Sequence, residues 1–416
     1  MIIAKLVVCG ALAISSLAIF RIAINKSWEY KFYKSAVIAF IAFKFVFCIA
    51  IYAYFPQLNR TSDAALYYYP QTVQFIEGHL PYRDFPSSYS ILFLPLLSVA
   101  VSAWNSLGSI ALLMLLFETG MITLYLRRCH RVGYRPGWQA AFLYLFSPIS
   151  FYWISVAGYN GSIISFFTVA ALLAAEKGRH FLSGVLAAMG LAFSKLLAAL
   201  AWPAIVFFDR KNSIRRLTPL ILLIAIHAGL LIIGLDVLAP IKNEFEKASS
   251  GNIWFLLSVV APGLKSIAIW KLMPLLLFAL GFAILFVLRA RRTQSEHLGN
   301  FDSGMAFAAA TFVLFLICSR KSFTMYLPMA LIFVMHTLVT DGKFPIGRLF
   351  VLAYIGTVTI IEPVLMPMII RDGTAVTRFD IILAASLDLP IIGSYIYLLS
   401  ICLRQLLRYR VSATAP

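Results

Sequence analysis

Long apolar runs separated by short polar segments extend along the whole chain. A helix that crosses a bilayer needs about 20 predominantly apolar residues, and this pattern predicts an all-α polytopic membrane protein with about 13 transmembrane helices, in a range of 11–13. Residues 1–416 then form a single transmembrane domain. The 13 runs are Ile2–Phe20, Ser35–Phe55, Leu107–Leu126, Trp138–Ser155, Gly161–Ala175, Phe181–Ser194, Leu196–Phe208, Leu217–Leu235, Ser266–Leu288, Ser303–Cys318, Tyr326–Thr340, Leu349–Ile370 and Ile381–Leu403.

Two longer polar segments interrupt the runs. Residues 56–106 are predicted to form an outer loop that ends in a juxtamembrane helix over Tyr89–Ala103, with a break at 104–106, because two full crossings here would invert every later loop. Residues 236–265 form a second outer loop. Loops longer than about 12–15 residues are usually functional or disordered, and the tyrosines and prolines of the first one favour an ordered, functional loop.

Composition excludes a water-soluble globular enzyme, because 61% of the residues are hydrophobic and only 12% are charged. An ordinary soluble domain has roughly 25% charged residues. The net charge is +18, and 22 of the 35 Lys and Arg residues fall in clusters on one side of the runs. The positive-inside rule makes that side cytoplasmic, which places the C-terminus inside and the N-terminus outside. No nucleic-acid partner is expected, since the basic residues form no single solvated face.

The sequence contains no motif typical of metal binding or nucleotide binding. The five cysteines are scattered without a CxxC pair, the six histidines lack metal-ligand spacing, and no GxxxxGK[ST] or GxGxxG loop occurs. We therefore expect no metal and no cofactor.

Two acidic residues of the first outer loop are candidates for acid–base chemistry. Asp63 follows the second run by a few residues and precedes an apolar, aromatic stretch, where it could equally serve as a helix N-cap. Asp84 is the second acidic candidate, and the alternative is a solvated turn formed with its neighbour Arg83.

Basic residues on the outer side suggest an anion site. Arg320 and Lys321 lie between two short runs, and Lys195 lies where two short runs meet. A lysine at such a junction is costly unless it faces water or an anion; snorkelling to the interface is the alternative for Lys195. Together these residues predict a site for a lipid phosphate, to which Arg83 would add a fourth cation.

Three acidic residues lie inside predicted spans: Glu118, Glu362 and Asp388. Proton-coupled or ion-coupled transporters use such residues as relays, so a transporter or flippase of lipid-linked glycans is the alternative function. Interhelical hydrogen bonds explain the three acids equally well, and no inverted repeat accompanies them.

Several ordered segments resemble the GT-C superfamily of membrane glycosyltransferases, especially the bacterial polyprenol-phosphate-mannose-dependent mannosyltransferases. The resemblance extends over about residues 35–340 and includes no Asp-x-Asp at Asp63. The segments that carry it are Ser62-Asp63 with Tyr67 and Glu77-Gly78-His79-Leu80-Pro81-Tyr82-Arg83-Asp84-Phe85, then Phe146-Ser147-Pro148 with Gly158-Tyr159-Asn160-Gly161, then Gly184-Val185-Leu186 with Ala192-Phe193-Ser194-Lys195, and Arg320-Lys321 with Tyr326 and Pro328.

The resemblance implies an inverting, metal-independent transfer of mannose or another hexose or pentose from a polyprenyl-phosphate donor to a glycolipid or envelope glycan. The enzyme would lie in the bacterial inner membrane with its active site facing the periplasm or cell exterior. Asp63 would be the catalytic base, and Lys195, Arg320, Lys321 and Arg83 would bind the donor phosphate. The substrate-lining residues would be Tyr67, His79, Tyr82, Tyr159, Asn160 and Tyr326.

Overall fold

The structure, a computed structural model, is 82% helical. It describes residues 2–25, 30–55, 62–209, 211–240, 249–266, 268–290, 297–321, 324–342, 344–370 and 377–411. The first six residues of the predicted 56–106 loop and residues 241–248 of the second outer loop lie outside these ranges. The predicted all-α class is confirmed, since the described ranges contain no strand.

The helices are numbered in chain order. They are α1 (Ile2–Asn25), α2 (Tyr30–Tyr54), α3 (Tyr69–Ile76), α4 (Phe93–Ala103), α5 (Leu107–Arg131), α6 (Pro136–Leu145), α7 (Pro148–Val156), α8 (Gly161–Glu176), α9 (His180–Ala192), α10 (Trp202–Val206), α11 (Ser213–Ile232), α12 (Ile253–Val260), α13 (Ala268–Ala290), α14 (His297–Cys318), α15 (Leu327–Thr340), α16 (Ile346–Ile369) and α17 (Arg378–Val411). Short 3-10 or π-helical turns adjoin them at Ala64–Tyr68, Phe151–Val156 (the end of α7), Leu196–Ala201, Pro262–Ser266 and Thr324–Tyr326.

Seven of the described helices are long and apolar enough to cross a membrane, and the count is eight if the bent pair α6 and α7 forms one span. These helices support a membrane protein, while the count of 13 spans stays a prediction. The other predicted runs coincide with shorter apolar helical segments at Cys9–Ile22, Gly161–Glu176, His180–Ala192, Leu196–Val206 and Thr324–Thr340.

Two breaks in the helices follow from local sequence. Helix α4 ends at Ala103, and Ser106 begins α5 by accepting a hydrogen bond from the backbone N–H of Gly108, so the break lies at the predicted 104–106. Helices α6 and α7 meet at an angle of 52°. There Ser147 caps the new helix, and Pro148 has no N–H with which to continue the preceding one.

Buried ion pairs tie the helices together. Lys44 of α2 and Glu118 of α5 are almost fully inaccessible, and both bond to the hydroxyl of Ser150 in α7. At the end of α5, Arg128 contacts Glu176 of α8 and Asp302 of α14, each at 3.1 Å. A buried charge is tolerated only when it is paired, so these contacts specify which helices are neighbours.

The Lys44–Glu118 pair gives a stability prediction. We expect Lys44→Met to lower the free energy of unfolding by about 3–5 kcal/mol, because it leaves the Glu118 carboxylate buried without its cation. The double variant Lys44→Met/Glu118→Leu should recover most of that loss. Titration with SDS in detergent micelles measures both; a single variant no less stable than the double one would contradict the prediction.

Candidate active site

An ion pair between Lys195 and Asp63 forms the centre of the site. The Lys195 Nζ lies 3.3 Å from the Asp63 Oδ2, although the residues are 132 positions apart, and both side chains are largely buried. Asp63 occupies the N-cap position of the π-helical turn but makes no capping hydrogen bond with its side chain. The side chain of Ser62 accepts from the backbone N–H of Ala65 instead. Asp63 is therefore directed at Lys195 rather than used as a helix cap.

Four tyrosine rings surround the Lys195 ammonium, and we call them the tyrosine cage. A cation within about 6 Å of an aromatic centroid is attracted by the electron-rich face of the ring. The cage holds the lysine where its charge is only partly exposed to solvent. The distances from Nζ to the ring centroids are 4.9 Å for Tyr89, 5.5 Å for Tyr159, 5.6 Å for Tyr326 and 5.9 Å for Tyr68.

Lys195 is positioned by the interruption between α9 and the following 3-10 turn. Its backbone is extended there, and carbonyls at and just after the end of α9 accept hydrogen bonds from another segment. The N–H of Ser90 donates to the Ser194 carbonyl at 3.1 Å, and the N–H of Leu92 donates to the Ala192 carbonyl at 3.0 Å. These bonds bring Tyr89 against Lys195 and satisfy carbonyls that a helix end leaves open.

A π-helical turn decides which tyrosine faces the site. In the turn at Ala64–Tyr68 the N–H of Tyr69 donates to the Ala64 carbonyl, five residues back. Residues five apart share a face in such a turn, so Tyr68 lies on the Asp63 side. The predicted lining residue Tyr67 is 45% exposed and interacts electrostatically with Tyr89 of the cage.

A tight turn brings Tyr159 and Asn160 to the same place. Gly158 has φ +65°, and a Cβ at that position would lie 3.2 Å from the Cβ of Ala64, next to Asp63. The buried side chains of Asn160, Tyr159 and Ser162 include polar atoms without a hydrogen-bond partner in the described part of the chain. Buried polar groups are normally satisfied, so these atoms are suited to contact a polar ligand.

Lys321 approaches the ion pair from the segment after α14. It interacts electrostatically with both Lys195 and Asp63. Burial and, to a lesser extent, the charge of Lys195 lower the pKa of Lys321 to about 7, although Asp63 opposes the shift. The backbone carbonyl of Arg320 is held by the N–H of Ser249 at 3.0 Å and by the side-chain amide of Asn252 at 3.2 Å.

Four predicted residues lie together in the loop 78–85, namely His79, Tyr82, Arg83 and Asp84. The Arg83 guanidinium makes two hydrogen bonds of 2.9 Å to Asp84, and the backbone N–H of Leu80 also donates to that carboxylate. The pKa of Asp84 is lowered to about 2 by these contacts, and His79 nearby contributes. The structure thus groups Arg83, Asp84 and His79 in an exposed turn, apart from the contacts of the Lys195 ion pair.

Tyr82 belongs to the same loop, but it contacts the tyrosine cage through the backbone of Tyr89. Its backbone has φ +69°, and its hydroxyl donates to the carbonyl of Tyr89. Burial raises its pKa. Tyr82 therefore positions a member of the tyrosine cage. The cage members Tyr68 and Tyr89 are absent from the sequence prediction. Tyr89 could have been noticed from the sequence, because it begins the predicted juxtamembrane helix Tyr89–Ala103 directly after the polar loop.

The three intramembrane acids do not form one chain of groups. Glu118 is paired with Lys44, as described above, whereas Asp388 accepts a hydrogen bond from the N–H of Gly251 and Glu362 lies near the same glycine. The two locations share no contact among the described residues.

Comparison with known proteins gives no further assignment, since no protein family model and no curated protein sequence matches the chain. The chemistry is therefore argued from the groups present. A carboxylate can accept a proton, two ammonium groups can hold an anion, and unpaired amide and hydroxyl groups can bind a polyhydroxylated ligand.

The pKa of Lys321 gives a prediction for anion binding. Lys321 lies outside the helices, is charged below pH 7 and loses its charge as the pH rises through 7. Loss of one charge-assisted hydrogen bond weakens binding by about 1.5–3 kcal/mol, so affinity for a prenyl phosphodiester should fall roughly tenfold or more between pH 6 and pH 9.

Lys321→Arg serves as the matched control for this experiment. An arginine stays charged throughout the range, so the variant should bind with little pH dependence. Fluorescence titration of the detergent-solubilised protein with a short-chain prenyl phosphodiester measures both affinities. An equal pH dependence in the two proteins would exclude Lys321 as the titrating group.

Proposed function

We propose that the protein is an inverting, metal-independent glycosyltransferase of the GT-C type. It moves a sugar, mannose or another hexose or pentose, from a polyprenyl-phosphate donor to a lipid-linked or envelope glycan at the outer face of the bacterial inner membrane. The observation that carries the proposal is the contact between Asp63 and Lys195 inside the tyrosine cage. The finer topology belongs to the same proposal: 13 spans and an outward-facing site.

In the proposed reaction, an acceptor hydroxyl attacks the anomeric carbon of the sugar from the face opposite the phosphate. The new carbon–oxygen bond forms as the anomeric carbon–phosphate oxygen bond breaks, and the bonding electrons leave with the phosphate. Asp63 takes the hydroxyl proton. A positioned general base contributes about 10²–10⁴-fold to such a rate.

The lysines would stabilise the leaving group. Lys195 and Lys321 repel each other in the resting protein, and a phosphate bound between them would relieve that repulsion. In the transition state the same two lysines would stabilise the negative charge that develops on the leaving phosphate. Lys195 would then exchange Asp63 for the phosphate, which frees the carboxylate to accept a proton. The amide of Asn160 and the hydroxyl of Tyr159, which have no hydrogen-bond partner in the described part of the chain, are suited to hydrogen-bond sugar hydroxyls.

Asp63→Asn tests the base. We expect sugar transfer to fall by about 10²–10⁴-fold. The loss of stability should be smaller than for Lys44→Met, because the amide nearly preserves the shape of the carboxylate and Lys195 keeps some exposure to solvent. The measurement is transfer of labelled sugar from polyprenyl-phosphate donors to an extracted glycolipid fraction. Asp84→Asn is the comparison, since its carboxylate is engaged by Arg83 in an exposed turn, and it should keep most of the activity. The reverse ranking would reassign the base to Asp84.

Lysine variants test the donor site. Lys195→Ala should raise the KM for donor by about 10–100-fold, as expected for a lost charge-assisted bond, and change the KM for acceptor much less. Arg320→Ala should have the smaller effect on donor, because the contacts that fix Arg320 involve its backbone carbonyl. Equal effects of Lys195→Ala on both substrates would remove the phosphate assignment.

The same assays separate the transporter alternative. Movement of a lipid-linked glycan across vesicles by wild-type protein, without any sugar transfer, would favour a flippase over the enzyme.

A further inference from the structure

A pair of carboxylates lies buried between α16 and α17. Glu362 and Asp388 are about 1% and 0% exposed, and both approach Gly251 in the segment before α12. The N–H of Gly251 donates to the Asp388 Oδ2 at 3.3 Å, and a Cβ at Gly251 would lie 3.4 Å from the Glu362 Oε2. Gly251 also has φ +80°, a conformation that favours glycine. The absence of a side chain lets the backbone at this position approach both carboxylates.

Three oxygen atoms in this cluster have no hydrogen-bond partner among the described residues. They are the Glu362 Oε1, the Asp388 Oδ1 and the Oη of Tyr395. Tyr395 is fully buried two helical turns after Asp388 and interacts electrostatically with both carboxylates. A hydroxyl beside a carboxylate normally bonds to it at about 2.5–2.7 Å. Oxygen atoms around a bound cation stand farther apart, because each lies about 2.3–2.6 Å from the ion.

The charge of the cluster also favours a bound cation. Within the described part of the chain, the contacts of the two carboxylates are with the hydroxyl of Thr324, with Ser250 and Gly251, with Tyr354 and Tyr395, and with each other, and they include no Lys, Arg or His. Two negative charges in an apolar interior require compensation, and a set of oxygen donors alone suits Mg²⁺ or Ca²⁺ rather than zinc or copper.

We propose that Glu362, Asp388 and Tyr395 form a binding site for a hard divalent cation. Groups of three or more His, Cys, Asp or Glu suited to a metal do not occur among the described residues, so hydroxyl, backbone carbonyl and water oxygens would complete the coordination. Such completion is common for both ions. The proposal does not rest on sugar transfer, and the site is separate from the Asp63–Lys195 pair.

The cation would also order the segment that carries Lys321. Ser249 and Asn252, on either side of Gly251, both bond to the Arg320 carbonyl, and the indole N–H of Trp254 donates to the Cys318 carbonyl at 2.6 Å. Fixing Gly251 against the carboxylates therefore fixes residues 318–321 through the backbone. As a structural cation site, it would steady the segment that carries Lys321 and take no part in the sugar-transfer step itself.

The test uses full-length protein purified in detergent and stripped with EDTA. Thermal unfolding is followed with added Ca²⁺, Mg²⁺ or Na⁺, and ⁴⁵Ca²⁺ equilibrium dialysis measures binding directly. At about 100 times Kd, the divalent ion should raise the melting temperature by roughly 3–5 °C. Glu362→Gln and Asp388→Asn should lose the shift, and Tyr395→Phe should weaken binding.

Asp380→Asn is the matched control, since Asp380 lies on the same helix but bonds to Thr377 in an exposed cap. It should keep the full shift. The proposal is overturned if wild-type protein binds no ⁴⁵Ca²⁺ and shows no shift with Mg²⁺, if Na⁺ alone stabilises, or if Glu362→Gln and Asp388→Asn retain the shift. Asp63→Asn protein should keep the cation effect, so failure of the transfer proposal would leave this result unchanged.

Discussion

Pairing of buried charge is the constraint on which this structure depends. An ionised side chain in an apolar interior is tolerated only beside a partner, and several of the partners here come from a distant part of the chain. Lys195 and Asp63 are 132 positions apart and still meet. The other pairs tie helix to helix or close a helix end: Lys44–Glu118, Arg128–Glu176, Arg216–Asp209 and Arg348–Asp341.

The Lys195–Asp63 pair differs from the structural pairs in its surroundings. Lys44 and Glu118 are 0% and 1% exposed and share the hydroxyl of Ser150, so that cluster is closed. Lys195 and Asp63 keep 10% and 17% exposure and lie at an interruption of the helices. Asn160 beside them has an amide without a partner in the described ranges. A pair in such surroundings can exchange a partner for a ligand, whereas a closed one cannot.

The sequence predicted the helical class and the break at 104–106, because apolar length is a local signal. It also singled out Asp63 and Lys195, which the structure brings into contact, while their roles stay predictions. It did not predict Tyr68, since a π-helical turn shifts the facing residue by one and leaves no mark in a 3.6-residue periodicity. It could not pair Glu362 with Asp388 either. Their meeting depends on Gly251, which is 137 positions from Asp388, and on how three elements pack.

The segment from Cys318 to Tyr326 connects the two polar clusters. At one end its carbonyls bind Trp254 and Asn252, beside Gly251 and the carboxylate pair. Near its other end Thr324 bonds to the Thr359 carbonyl of α16 at 2.9 Å, and Tyr326 is a wall of the tyrosine cage. Lys321 lies between these anchors. A cation bound by Glu362 and Asp388 would therefore act on Lys321 through the backbone of this segment. Coupling of this kind passes from one packed group to the next.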